Sequence, residues 1–171
     1  MKATLYWIDG PGPGRLAILP RPRGGDWLED EVRSWKASGV DVVVSCLTTD
    51  EITELDIARE AELCQAFGVE YISFPVEDRG VPKSFRDTAV LVRDLESRLA
   101  QGKTVAVHCR AGVGRSALLG ACLLVLAGSD PQTAFKRIAA VRGCPVPDTP
   151  EQQEWVIRFA RDLLAGATVK K

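Results

Sequence analysis

The segment VAVHCRAGVGRSALL, residues 105–119, decides how this chain folds. It opens with a short apolar run typical of a buried strand and closes at the start of the longest apolar run in the chain, with two glycines between them. This order predicts a strand, a tight loop and a helix. Because glycines let backbone N–H groups turn inward and a helix N-terminus leaves its first donors unpaired, we expect the loop to bind a tetrahedral oxyanion.

Two side chains give this loop its chemical character. Cys109 follows the strand directly, and the inward N–H groups of the loop would stabilise a thiolate there. Arg115 opens the helix with a planar guanidinium that is always charged and binds two phosphate oxygens at once, which lysine does not. The pattern predicts a cysteine nucleophile beside a bound phosphate group.

The rest of the chain alternates strands with helices, and its last third is helical. The predicted strands lie at residues 15–19, 40–46, 69–74 and 103–108. This alternation favours a single α/β domain over residues 1–171, with a central mostly parallel sheet of four to five strands flanked by helices. The Pro/Gly-rich segment 1–25 is expected to pack on that domain as loop around one short strand. Asp26 and Asp50 are the predicted N-caps of the first two helices, of which the second runs to Gly68.

In a parallel sheet every strand ends at the same edge, where ligands bind in open α/β folds. Cys46, Asp78 and Cys109 each lie at or just past the end of a predicted strand. We therefore expect these three side chains to converge at one edge of the sheet.

Composition and charge exclude several other classes of function. The chain carries 22 Lys and Arg against 23 Asp and Glu, a formal net charge of −1, so it offers no broad basic surface for nucleic acid or anionic membranes. Its one histidine, His108, rules out zinc sites built on two or three histidines. The five cysteines are scattered without a CxxC pair, which is typical of reduced thiols in a cytoplasmic protein. The longest apolar run, residues 117–127, is too short to span a membrane.

Residues 108–116, HCRAGVGRS, fit the HCxxGxxR[ST] signature of the cysteine-dependent protein tyrosine and dual-specificity phosphatases. The chain resembles that family from the helix near Asp26 to its C-terminal helix. It is similar to the small dual-specificity group that includes the cyclin-dependent kinase-associated phosphatase. The resemblance implies a dual-specificity-phosphatase-like fold and an enzyme that cleaves phosphate monoesters in two steps, without a metal ion or any other cofactor.

The resemblance implies a role for each position of the signature. Cys109 would take the phosphoryl group as a cysteinyl phosphate, Arg115 would bind its equatorial oxygens, and Ser116 would donate a hydrogen bond to the departing sulfur. His108 would lie beneath the loop and tune it, and a plain core histidine is the alternative. The loop residues expected to bind substrate are Arg110, Ala111, Gly112, Val113 and Gly114.

The family also uses an aspartate, on a loop before the cysteine, that protonates the leaving oxygen and then activates the hydrolytic water. Residues 74–82, FPVEDRGVP, resemble that loop and make Asp78 the predicted acid. Glu77 is its rival, because a shift of the alignment by one residue exchanges the two. Asp148 is a weaker rival.

Two further residues are predicted from looser correspondences. Gln152 matches a family glutamine that positions water, and the alternative is a solvated glutamine at the start of a helix. Cys46 corresponds to a cysteine that, in the lipid-directed branch of the family, forms a disulfide with the nucleophile. Reversible protection of Cys109 by Cys46 under oxidising conditions is therefore a hypothesis.

The resemblance implies a phosphorylated protein as substrate, with phosphotyrosine first and phosphoserine or phosphothreonine next. The chain is too short for the segments that build the deep phosphotyrosine pocket of larger family members, which favours a shallower, dual-specificity mouth. The basic residues expected to ring a shallow mouth are Arg79, Lys83, Arg86 and Arg110. Phosphoinositides or RNA 5′-phosphates are the alternative substrates, and they come second because lipid-directed relatives carry lysine at two loop positions where this chain has Arg110 and Val113. A catalytically silent phosphate-binding module is a further alternative.

Overall fold

A computed structural model describes residues 4–8 and 12–169, which form a five-stranded sheet with helices on both faces. The strands are β1 (Tyr6–Ile8), β2 (Arg15–Leu19), β3 (Val42–Ser45), β4 (Glu70–Ser73) and β5 (Thr104–His108). Their spatial order is β1-β2-β5-β3-β4. β1 pairs with β2 in the antiparallel sense, and the remaining pairings are parallel. The predicted α/β fold with a mostly parallel sheet is therefore confirmed.

The helices divide between the two faces of the sheet. They are α1 (Leu28–Ala37), α2 (Thr49–Glu54), α3 (Glu60–Ala66), α4 (Phe85–Ala100), α5 (Arg115–Leu126), α6 (Pro131–Arg142) and α7 (Pro150–Val169). Helices α4 to α7 pack on one face, where α5 is buried along most of its length. Helices α1 to α3 cover the other face. In the part of the chain that the structure describes, no helix combines the length and the apolar character needed to cross a membrane.

β5 is the central strand and carries the loop of residues 109–115 at its carboxyl end. All of its residues are buried, because β2 and β3 flank it and helices cover both of its faces. Successive side chains alternate between the faces, so Val105 and Val107 join the core formed with α5, whereas Ala106 joins the core formed with α1. The loop that follows is therefore fixed to the centre of the sheet.

β1 is a strand that the sequence did not predict. It has 3 residues, of which only Ile8 is buried, and it lies at the edge of the sheet beside β2. So short a strand shows no alternating pattern of its own, and only its pairing with β2 reveals it. Residues 1–3 and 9–11 of the predicted Pro/Gly-rich segment lie outside the described residues.

The first helix begins differently from prediction. Asp26 lies in a 3-10 turn, Gly25–Trp27, and α1 starts at Leu28 without a side-chain cap. The reason is Gly25, whose φ of 60° turns the chain before Asp26 and whose N–H donates to the Asp56 carbonyl. The predicted capping role of Asp26 is wrong.

The second predicted helix is in fact two helices. Thr48, and not Asp50, caps α2, because the Thr48 hydroxyl accepts from the Glu51 N–H while the Glu51 carboxylate accepts from the Thr48 N–H. The chain then turns at Asp56, whose φ of 56° ends α2, and α3 begins as a separate helix before Gly68. The predicted single helix to Gly68 is therefore wrong.

Gly14 offers a test of how β2 packs against the turn between α4 and β5. A Cβ added at Gly14 would lie 2.4 Å from the carbonyl oxygen of Leu99 and 2.5 Å from that of Lys103. Because backbone atoms do not move aside, we expect Gly14→Ala to lower the free energy of unfolding by about 1–3 kcal/mol in urea denaturation. The control is Gly166→Ala in α7, where no atom lies within 4 Å of the added Cβ. An equal loss in both variants would contradict this packing.

Candidate active site

Cys109 lies at the carboxyl end of β5 and is only 2% exposed. Its Sγ accepts a hydrogen bond from the Gly112 N–H at 3.3 Å and lies 3.2 Å from the Ser116 Oγ. An N–H group and a hydroxyl therefore both lie within hydrogen-bond distance of this sulfur. The structure thus brings Cys109, Ser116 and a loop N–H together around one atom.

Gly112 determines the conformation of the loop. Its φ is 73°, and an added Cβ would lie 2.8 Å from both the Leu19 carbonyl carbon and the Pro20 nitrogen, so neither the backbone nor the space accepts a side chain. Arg142 of α6 holds the outer side of the loop, with its Nε 2.8 Å from the Gly112 carbonyl and its Nη2 3.2 Å from the Ala111 carbonyl. Because the C=O and N–H of one planar peptide unit point in opposite directions, the contact at Ala111 aims the Gly112 N–H at the sulfur.

Arg115 is the most highly connected side chain of the site, and it is only 3% exposed. Its two Nη atoms donate to the two carboxylate oxygens of Glu51, at 2.6 and 2.9 Å. Nη1 also donates to the Val76 carbonyl at 2.8 Å, and Nη2 donates to Asp78 Oδ1 at 3.1 Å. Burial acts to lower the pKa of Arg115, but the Glu51 hydrogen bond and the charges of Cys109, Glu51 and Asp78 outweigh it and raise the pKa. The guanidinium is therefore charged and fixed in orientation.

Glu51 joins α2 to the loop of residues 109–115. Its Oε1 accepts from the Thr48 N–H at 3.1 Å and from the Thr48 hydroxyl at 3.2 Å, so one carboxylate both closes the capping box and binds Arg115. Burial acts to raise the pKa of Glu51, but the hydrogen bonds from Arg115 and Thr48 outweigh it and hold the pKa below its ordinary value. At neutral pH the Glu51 carboxylate is therefore ionised and pairs with the charged Arg115.

A cavity of about 260 Å³ opens above the cysteine. Its lining residues are Asp78, Arg79, Cys109, Arg110, Ala111, Arg115 and Asp148. Of the two rival acids on the upstream loop, the structure places Asp78 in this cavity and in contact with Arg115, whereas Glu77 is exposed outside the lining. Asp148, the third candidate, also reaches the cavity. The arrangement places carboxylates beside a cysteine and a fixed cation, as proton transfer during phosphoryl transfer requires.

The predicted substrate-binding loop contributes unequally to the cavity. Arg110 and Ala111 line it, and Gly112 reaches the sulfur through its N–H. Val113 and Gly114 do not belong to the lining. The predicted role of Val113 and Gly114 in binding substrate stays a prediction.

The mouth of the cavity carries less free positive charge than the sequence indicated. Arg79 and Arg110 line the cavity, whereas Lys83 and Arg86 are exposed outside the lining. Arg110 is held by α2, since its Nη2 lies 3.1 Å from the Glu54 Oε1. Its guanidinium is thus drawn toward α2, although the pair is open to solvent.

Gln152 is fully buried, so it is not a solvated glutamine. Its Oε1 accepts from the N–H groups of Asp148 and Thr149, at 3.0 and 3.2 Å, which fixes the start of α7. Its Nε2 donates to the Gly80 carbonyl at 3.0 Å, two residues beyond Asp78. In this conformation Gln152 ties the loop that carries Asp78 to α7, and its predicted role in positioning water stays a prediction.

His108 lies beneath the cysteine, on the other face of β5, and is fully buried. Its Nε2 lies 2.5 Å from the Oε1 of Glu60, a residue of α3 that is only 1% exposed. The Trp35 ring lies 6.0 Å away on the same side. Burial and then the Glu60 charge raise the pKa of the nearby Cys64 to about 12. His108 is therefore hydrogen-bonded to α3 through Glu60 and is also the neighbour of Cys109, which a plain core histidine would not be.

Cys46 follows β3 and lies near the nucleophile. It is 1% exposed, and its N–H donates to the His108 carbonyl at 2.9 Å. Burial, followed by the nearby charge of Cys109, raises the pKa of Cys46 far above its ordinary value. Cys46 is therefore a neutral thiol at physiological pH, and its disulfide with Cys109 stays a prediction. With Asp78, both cysteines lie at the edge of the sheet where convergence was expected.

Three charged residues of the site were missed in the sequence. Glu51 did leave a signal, because TTDE at residues 48–51 is a capping-box pattern. Glu60 and Arg142 left none: each reads as a surface residue of an amphipathic helix, and their partners lie 48 and 30 residues away. Only the folded chain brings them to the loop.

The comparison with known families agrees with this geometry. The family described as "Swiss Army Knife protein, DSP-PTPase phosphatase domain" matches residues 3–167. The chain belongs to this phosphatase family. The cyclin-dependent kinase inhibitor 3 of Rattus norvegicus is 30% identical over 142 residues, which cover 81% of this chain. The chain spans 66% of that rat protein, just under two thirds of its length.

Solved structures of the phosphatase family share the fold. A kinase associated phosphatase whose catalytic-site cysteine is replaced by serine has a TM-score of 0.87 at 21% identity, over 96% of this chain and 97% of that one. PTPMT1 in complex with PI(5)P has a TM-score of 0.74 at 24% identity, over 89% of this chain and 94% of that one. The fold implied by the signature sequence is therefore confirmed.

Glu51→Gln tests the ion pair that holds Arg115. Removing one partner of a buried pair leaves an uncompensated charge, so we expect the variant to lose about 3 kcal/mol of unfolding free energy at pH 7. Because the folded pKa of Glu51 is lowered, its contribution is complete above the unfolded pKa and is lost as pH falls through the folded one. The difference between wild type and variant should therefore be full at neutral pH and shrink as pH falls below about 4.3, the ordinary pKa of a glutamate, in urea denaturation.

The matched control for that variant is Glu54→Gln, on the same helix. Glu54 pairs with Arg110 at 3.1 Å, but its side chain is 63% exposed. An exposed pair contributes little, so the control should lose less than about 1 kcal/mol. A difference between wild type and Glu51→Gln that stays constant with pH would contradict the role of the Glu51 charge.

Proposed function

We propose that this chain is a phosphomonoester hydrolase that dephosphorylates phosphotyrosine, and also phosphoserine and phosphothreonine, in proteins through a cysteinyl-phosphate intermediate. The observation that carries the proposal is the sulfur of Cys109, which contacts the Gly112 N–H and the Ser116 hydroxyl in a cavity shared with Arg115 and Asp78. A nucleophile, a fixed cation and a carboxylate in one small cavity are the groups that phosphoryl transfer through a covalent intermediate needs.

In the first step, the Cys109 thiolate attacks phosphorus and the bond from phosphorus to the ester oxygen breaks. Arg115 and the loop N–H groups hold the other phosphate oxygens, on which the charge of the transition state lies. Asp78, in its protonated form, gives its proton to the leaving oxygen, so an alcohol departs and not an alkoxide. The products of this step are the alcohol and a cysteinyl phosphate.

In the second step, water attacks the phosphorus of the cysteinyl phosphate. The bond from phosphorus to sulfur breaks, and its electron pair returns to Cys109. The Ser116 hydroxyl, 3.2 Å from the sulfur, and the Gly112 N–H stabilise the thiolate that leaves. The family resemblance assigns activation of the water to Asp78.

A phosphorylated protein is the proposed substrate because of the kinds of relative that the chain has. The rat relative is named a cyclin-dependent kinase inhibitor, and a solved relative is named a kinase associated phosphatase. The formal net charge of −1 leaves no broad basic surface, so a substrate is bound through its phosphate at the loop.

A phosphoinositide is the second candidate substrate, and the PTPMT1 structure with PI(5)P favours it. The basic residues around the cavity argue against it. Lys83 and Arg86 do not line the cavity, and Arg110 also contacts Glu54, so among the described residues Arg79 is the one lining cation outside the loop that is left for a second phosphate group. A panel of phosphotyrosine and phosphothreonine peptides, a phosphoinositide and a 5′-phosphorylated RNA assigns the substrate class by relative kcat/KM.

The direct test of the proposed function is hydrolysis of an activated aryl phosphate in the presence of EDTA. We expect vanadate to inhibit the reaction and Cys109→Ser to abolish it, because a serine hydroxyl is not ionised at neutral pH. Cys144→Ser is the matched control, since Cys144 is only partly buried and lies outside the cavity. Activity that survives Cys109→Ser would refute the mechanism.

Asp78→Ala tests the assignment of the acid. An aryl phosphate with a poor leaving group needs the proton, so its kcat/KM should fall on the order of 100-fold, whereas that of an activated aryl phosphate should fall roughly tenfold or less. The control is Glu77→Ala, one residue earlier on the same loop and exposed. Equal losses on both substrates, or a larger loss in Glu77→Ala, would show that Asp78 is not the acid.

A further inference from the structure

The cavity holds a second carboxylate for which the reaction above has no use. Asp148 lines the cavity together with Asp78, Cys109 and Arg115. A Cβ built on Gly114 would lie 2.6 Å from Asp148 Oδ2, so this oxygen lies directly against the backbone of the loop. The absence of a side chain at Gly114 is what leaves room for the carboxylate.

The backbone of Asp148 is held in place, but its carboxylate is uncommitted. The Asp148 N–H donates to the buried Oε1 of Gln152 at 3.0 Å. The same Gln152 side chain donates to the Gly80 carbonyl at 3.0 Å, so one amide fixes the positions of Asp148 and of the loop that carries Asp78. Among the described residues the Asp148 carboxylate has no ion pair, whereas Asp78 Oδ1 is bound to Arg115 Nη2 at 3.1 Å.

These contacts separate two tasks that one aspartate is expected to share. In the first step an acid must reach the leaving oxygen, and Asp78 is directed at the substrate phosphate through its contact with Arg115. In the second step a base must take a proton from water, which needs an oxygen that is both free and open to solvent. Both aspartates are solvent-exposed and line the cavity, but among the described residues Asp148 has both carboxylate oxygens outside any ion pair, whereas Asp78 has one oxygen bound to Arg115.

We propose that Asp148, held against Gly114 by Gln152, is the general base of the second step, an inference that rests on the proposed phosphatase function. Water gives a proton to the Asp148 carboxylate as its oxygen bonds to phosphorus, and the phosphorus–sulfur bond breaks with its electron pair going to Cys109. Inorganic phosphate leaves, and Asp148 releases the proton to solvent. Asp78 then serves the first step alone.

The test is pre-steady-state hydrolysis of an activated aryl phosphate by Asp148→Asn, which is close in size and keeps the N–H to Gln152. We expect kcat to fall on the order of 100-fold with kcat/KM unchanged, because kcat/KM reports only the steps through formation of the cysteinyl phosphate. A burst of aryl alcohol equal to the enzyme concentration should precede the slow phase. Acid quenching during that phase should show the phosphorylated enzyme by intact mass.

The controls separate this role from a structural one. Asp148→Glu keeps a carboxylate and should recover much of the lost kcat. Glu151→Gln changes the same charge in the first turn of α7, outside the cavity lining, and should behave as wild type. Thermal unfolding of each variant reports whether the start of α7 is intact.

The kinetics of Asp148→Asn distinguish a base of the second step from an acid of the first step. Loss of kcat/KM without a burst, or largest for poor leaving groups, would make Asp148 an acid of the first step and overturn the inference. Unchanged kcat would overturn it as well, and in both cases the phosphatase function stands. A wild-type protein that hydrolyses no phosphate monoester would overturn the proposed function, and this inference with it.

Discussion

The site depends on one buried ion pair, between Arg115 and Glu51. A guanidinium that is 3% exposed is stable only if its charge is matched and its donors are used, and Glu51 does both with two parallel hydrogen bonds. The same carboxylate closes the capping box of α2. The start of α2 and the orientation of the Arg115 guanidinium are therefore fixed by the same residue. The remaining donors of Arg115 reach Val76 and Asp78, so the loop that carries Asp78 is ordered by the same group.

This pairing also explains how a chain with a formal net charge of −1 can concentrate attraction for phosphate. Glu51 balances Arg115, and Glu54 contacts Arg110, so Arg79 is the lining arginine that has no carboxylate partner among the described residues. A phosphate dianion is attracted by oriented donors, which are the loop N–H groups, the N–H groups at the start of α5 and the guanidinium N–H groups of Arg115. Such donors act at short range, which favours a group that fits the loop over any diffuse polyanion.

The sequence predicts the parts of this site that are local and misses those that are not. Cys109, Arg115 and Ser116 fall within eight consecutive residues. An apolar strand precedes them, two glycines lie between them and an apolar helix follows, so β5, the loop and α5 were predictable. Asp78 was predicted from the sequence of the loop to which it belongs. β1 was missed because a strand of 3 residues is too short to show the alternation of apolar and polar side chains. Glu60 and Arg142 could not be predicted in this way. The residues that they contact depend on how the helices pack, and the sequence pattern within α3 or α6 does not indicate that packing. Gln152 was named from its position, but which groups its amide binds is likewise a property of the folded chain.

The contact between His108 and Glu60 extends the site through the sheet. Glu60 belongs to the helical layer on the face opposite α5, outside the cavity lining, yet it contacts His108, the residue before Cys109. The residues that hold the loop of residues 109–115 in place therefore extend beyond the cavity lining and include a residue of α3. A substitution at Glu60 would therefore alter the surroundings of the residue before Cys109, although Glu60 lies in the helical layer on the opposite face of the sheet from α5.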